Sequence, residues 1–95
     1  EQTEEKGAIS RTKVTVFQEH RSEVLNVDLD ISYDAILNTN FIDSSGRTVL
    51  TPGSRKVNKG KNLLEYDMRM VPSQVLIMNV YTGREIISKK ILYRK

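Results

Sequence analysis

Leu25-Asn26-Val27-Asp28-Leu29-Asp30-Ile31-Ser32 places an apolar side chain at every odd position and a polar one at every even position. Successive side chains of a strand point to opposite faces, so this period of two describes one buried face and one solvated face. A helix would scatter the same residues around its circumference. The signal continues outward in both directions. Upstream, Val14 and Val16 alternate with Lys13, Thr15 and Phe17; downstream, Leu64, Tyr66, Met68 and Met70 repeat the pattern. Val71 to Val80 is apolar enough to predict a central strand buried on both faces. Arg84 to Tyr93 reads as the last strand, with Ile86, Ser88, Lys90 and Leu92 opposite Ile87, Lys89, Ile91 and Tyr93.

Turn residues punctuate these runs: Ser32-Tyr33-Asp34, Asp43-Ser44-Ser45-Gly46, Pro52-Gly53, Asn58-Lys59-Gly60 and Tyr81-Thr82-Gly83. Seven to eight short strands spaced in this way predict an all-β sandwich or barrel. Glu1 to Ser10 is polar and without period and reads as an N-terminal tail or linker, leaving 11–95 as a single sandwich domain. The expected core is Leu25, Val27, Leu29, Leu37, Phe41, Val49, Leu64, Ile77 and Val80. Turning both Ile77 and Val80 inward requires a bulge between them.

Composition removes several classes of function. The 95 residues include no cysteine and one histidine, so thiolate metal sites, disulfides and cysteine nucleophiles are excluded and a histidine-based site has little to build from. No apolar run is long enough for a membrane-spanning helix. The first ten residues lack the basic start and apolar run of a signal peptide. His20 falls in a polar loop, and Asp28 and Asp30, two apart, share the solvated face of one strand. Neither they nor the turn carboxylates Asp34 and Asp43 form an acid–base pair or a calcium loop by spacing. No serine has a nucleophile-elbow setting, and no glycine loop is built to hold phosphate. Tyr66, Tyr81 and Tyr93 are expected at sheet edges rather than as base-stacking platforms, so no nucleic acid partner is expected. Neither an enzyme nor a cofactor is indicated.

Charge divides along the chain. Residues 1–46 carry four basic against nine acidic side chains, a net −5; residues 47–95 carry eleven basic against three acidic, a net +8. Such a half can bind an anionic glycan or lipid, or its charges can be solvated strand faces set against acidic neighbours.

Five motifs in order carry a family resemblance: VFQEHRSEVLNV at Val16 to Val27, FIDSSGRTV at Phe41 to Val49, GKNLLEYDM at Gly60 to Met68, VPSQVLIMNV at Val71 to Val80, and TGREIISKKIL at Thr82 to Leu92. Together they resemble the C-terminal sorting domain of the type IX secretion system of Bacteroidota. Gln18-Glu19-His20 stands where that family has a PNP turn, and Gln74 and Leu76 replace its glycine and tyrosine. With the strand pattern, the resemblance implies an exported, non-catalytic, immunoglobulin-like antiparallel β-sandwich of seven to eight short strands, at the periplasm or outer surface, either a sorting domain or a diverged stand-alone envelope relative. It also implies cleavage from a cargo protein and coupling of that cargo to an anionic glycolipid. Its terminal segment, Arg84 to Lys95, would be recognised by export machinery or another envelope protein. In that reading the segment adds a strand to its receptor, and Lys89, Lys90, Arg94 and Lys95 supply charge complementarity. The alternative is a surface module that binds carbohydrate or another polyanion through its basic half. In that case Arg55, Lys56, Lys59 and Lys61 should share one surface with Lys89 or Lys90.

Overall fold

A computed structural model describes residues 12–95; the expected tail, Glu1 to Ser10, lies outside the described residues. Eight strands follow one another: β1 (Lys13–Phe17), β2 (Val24–Ile31), β3 (Ala35–Asp43), β4 (Thr48–Leu50), β5 (Arg55–Val57), β6 (Gly60–Asp67), β7 (Gln74–Tyr81) and β8 (Ile86–Tyr93). They form two antiparallel sheets, β1-β2-β6 and β4-β3-β7-β8, with β5 also pairing β3. β2 pairs β6 and β3 pairs β7, so neighbours in space are far apart in sequence. That is the connectivity of immunoglobulin-like sandwiches, and the all-β sandwich itself is what the alternation and turn spacing allow.

The strands β4 and β5 continue one another along β3. Leu50 faces Phe41 and Arg55 faces Leu37, almost in a single register, with Pro52-Gly53 breaking the strand between them. Proline cannot donate to a ladder, which suits it to such an edge. Ser54 closes the gap by donating its hydroxyl to Asn38 Oδ1 at 2.8 Å.

Burial follows the period of two. Leu25, Val27, Leu29 and Ile31 point inward from β2 and meet Leu37 and Phe41 of β3, Leu64 and Tyr66 of β6, and Leu76, Met78 and Val80 of β7. Four expectations need correction. Ile77 faces outward in unbroken register with Lys90, so β7 holds no bulge and its inward residues are the even ones. Consequently β7 is central but buried on one face only, and Val71 is buried in the loop before it. Val49 packs against the core without being fully enclosed. Tyr66 and Tyr93 lie inside rather than at edges, because each hydroxyl finds an interior partner: Thr39 Oγ1 at 3.1 Å for Tyr66 and the Met68 carbonyl at 3.1 Å for Tyr93. Burial raises the Tyr93 phenol above its ordinary value, with help from the charges of Glu23 and Asp67.

Local chemistry fixes the turns. Asp43 Oδ1 accepts the Ser45 and Arg47 N–H groups at 2.9 and 3.0 Å and the Ser45 hydroxyl at 2.6 Å. Those bonds, led by the Ser45 hydroxyl, hold its carboxyl below the usual carboxylate range. Gly46 completes the turn at φ 90°, a value a side chain would resist. Asn62 donates to the Asn58 and Gly60 carbonyls and so braces the turn entering β6.

Candidate functional site

The terminal strand β8 occupies an edge of the larger sheet, and no described strand covers its outer side. Its outward-facing residues are Ile86, Ser88, Lys90 and Leu92, in register with Tyr81, Asn79, Ile77 and Val75 of β7. Ile86 is 67% and Leu92 56% exposed, unusually bare for large apolar side chains. Ile36 and Val75 extend the apolar character across the same outer face. A polar ladder crosses its middle: Ser88 donates to Asn79 Oδ1 at 2.5 Å, and Asn79 Nδ2 donates to Asn40 Oδ1 at 3.1 Å. Lys89 and Lys90 stand at the centre of the strand, both exposed. Lys89 has the phase of the buried positions, beside Met78, and reaches solvent because β8 is an edge.

Past β8 the chain is held to the opposite sheet. The Gln18 carboxamide, following β1, accepts the Arg94 N–H at 3.3 Å and donates to the Arg94 carbonyl and to Ser22 O. A side chain thus continues the backbone pairing that the strand itself has left. The Lys95 N–H donates to Ser73 Oγ at 2.9 Å, and its ammonium donates to the Arg69 carbonyl at 2.6 Å, 3.9 Å from Glu23. Nearby, the Arg69 guanidinium pairs with Asp67 at 2.8 Å and lowers that carboxyl. Gln18 falls where the family resemblance breaks down, so no sequence signal marked it.

The basic half does not come together as one surface. Arg55 and Lys56 lie on β5, across β3 and β7 from β8, three strand spacings or about 14 Å away. Arg55 is occupied locally, its guanidinium 4.7 Å over the Tyr66 ring and bonded to the Glu65 carbonyl. Lys59 sits in the turn before β6, its N–H bonded to Asp34 at 2.7 Å. Lys61 belongs to the other sheet, where it and Lys13 flank Asp30 from either side in register. The acidic first half and basic second half are therefore interleaved in space. The expected grouping of Arg55, Lys56, Lys59 and Lys61 with Lys89 or Lys90 is not formed, because strand order in the sheets differs from order in the chain.

His20 lies in the β1–β2 turn, and Asp28 and Asp30 line the solvated face of β2 as the alternation requires. Among the described residues, no group of three or more His, Cys, Asp or Glu is placed to hold a metal ion. No helix among the described residues is long and apolar enough to cross a membrane. Compared with known protein families, curated proteins and solved structures, the chain matches none, and its surface is what speaks for its function.

Proposed function

We propose that this domain is a non-catalytic recognition module of an exported protein, docking to another envelope component through the open edge and outer face of β8. One observation carries the reading: Ile86 and Leu92, both more than half exposed, share an outer face with Lys90 on a strand whose outer edge no described strand pairs. An extended partner segment adding to that edge gains main-chain hydrogen bonds, and alternate side chains give it specificity. An acidic residue opposite Lys90 would complete the match. The sorting-domain resemblance points to the same strand, and sorting by type IX export machinery is the specific form proposed. Polyanion binding across the whole basic half is the weaker reading, since its cations are dispersed over both sheets.

The test spares the core. Lys89→Glu with Lys90→Glu reverses charge at two exposed positions, where substitutions usually shift stability by under about 0.5 kcal/mol. With an unchanged melting temperature verified, the wild-type and reversed domains are fused to the C-terminus of a cargo in a type IX-competent host. Export of the wild-type fusion with periplasmic retention of the reversed one is the expected result. Retention of both would remove sorting as the function; export of both would remove the lysines from recognition.

A further inference from the structure

Six arginines fall among the described residues, and four of them have a partner on the chain. Arg47 pairs with Asp43, Arg69 with Asp67, Arg55 lies over Tyr66, and Arg84 lies 4.3 Å over the Tyr33 ring. The guanidinium groups of Arg21 and Arg94 have no hydrogen bond, ion pair or ring contact with any described residue. The Gln18 clamp brings these two, from opposite ends of the domain sequence, to the rim of one depression of about 470 Å³. Glu19, His20, Ser73 and Lys95 line it with them.

From this convergence we infer an anion pocket at the end of the sandwich that takes a phosphate monoester between Arg21 and Arg94. A guanidinium presents a rigid fork of donors matched to phosphate oxygens. The Ser73 hydroxyl accepts the Lys95 N–H, so its own proton is free to donate to a ligand. Lys95 adds charge, although its ammonium is shared with the Arg69 carbonyl and Glu23. Three cationic side chains against Glu19 leave the lining side chains at about +2, which matches a dianion with three acceptor oxygens better than a single carboxylate. Backbone conformation is a second, independent sign. Arg21 adopts φ 54° in the turn closed by Ser22 N–H to Glu19 O, at the position where Gly or Asn is usual. Non-glycine residues in this region carry a backbone cost and are found disproportionately at ligand clamps and active sites. The site meets the outer face of β8 only at Leu92 and uses neither Lys89 nor Lys90, so loss of phosphate binding in the arginine variants leaves the docking proposal standing.

Inorganic phosphate and glycerol 3-phosphate are titrated into the isotope-labelled protein at constant ionic strength, with chloride as control. Saturable amide shifts confined to residues 18–22, 73 and 92–95, with millimolar dissociation constants, are expected. Arg21→Gln and Arg94→Gln should each weaken binding about tenfold or more, the usual scale for a charge-assisted bond. Glu19→Gln should tighten it a few-fold. Arg21→Gly relieves the backbone conformation, so it should melt no lower than wild type and still lose binding. Vesicles containing phosphatidic acid separate the sources: binding abolished by Arg94→Gln assigns a lipid headgroup, whereas binding to the soluble esters alone assigns a free ligand. Vesicle binding that survives both arginine variants, no saturable shift, or wild-type affinity in Arg21→Gly would each overturn the inference.

Discussion

The hydroxyl pair between Tyr66 and Thr39 offers a quantitative test of how this core is held. Tyr66 is 2% and Thr39 4% exposed, and their oxygens are 3.1 Å apart. Tyr66→Phe keeps the ring, so the edge-on contact with Phe41 at 5.5 Å and the Arg55 guanidinium above it both persist. What it removes is the only described partner of the Thr39 hydroxyl. A buried polar group left without a partner costs about 1–3 kcal/mol, and Thr39→Val imposes the same kind of penalty on the Tyr66 hydroxyl. The double variant replaces both with apolar groups of similar shape and should be nearly neutral. A domain of this length is stable by roughly 5–14 kcal/mol, so each single loss is measurable. The chain has no tryptophan, so urea unfolding is best followed by far-UV circular dichroism. Each single variant should melt several degrees low, at about 4–8 °C per kcal/mol, and the double should recover. Additive losses would refute the reasoning, because they would mean that neither hydroxyl depends on the other.

Two further outcomes follow from the packing and the turns. Leu76→Ala should cost about 2–5 kcal/mol, and Ile77→Ala, one residue along on the outer face, distinctly less; the reverse order in chemical denaturation would show that the phase of β7 is misassigned. The folded-state pKa of Asp43 is lowered, so its stabilisation is present above the unfolded carboxylate pKa and is lost as pH falls through the folded value. Asp43→Asn should therefore melt below wild type at neutral pH, with the gap closing in acid; a constant gap across a pH series would argue against the turn bonds.

Legibility in the sequence tracked burial. Residues 25–31 reveal their phase because the outer face of β2 is polar, leaving one solution for the pattern. β7 hides its phase because the outer face of its sheet is itself apolar, with Val75 and Ile77 outward between Leu76 and Met78 inward. The tyrosines hide their burial for another reason: their hydroxyl partners, Met68 O and Thr39 Oγ1, come from elements that only the fold brings near. The basic residues look like one group in the chain, yet β5 and β8 lie on opposite sides of β3 and β7. Arg21 and Arg94 show the converse, since nothing local marks two distant arginines as neighbours across a glutamine side chain.

The lysines at the middle of β8 also bear on what the sandwich does beside a copy of itself. An exposed eight-residue edge is a template for a second strand, including its own. In an antiparallel pair related by a two-fold axis, with the buried faces continuous, near-full overlap puts the axis at Lys89 or Lys90. Each arrangement sets a lysine directly against its symmetry mate, an opposition that destabilises a ladder. Moving the axis to Ser88 or Ile91 separates the charges but shortens the overlap from seven residues to five, 86–90 or 89–93, with fewer ladder bonds to hold two domains together. Self-association along this edge, and the open-ended stacking of sheets that it would begin, are thus disfavoured by symmetry.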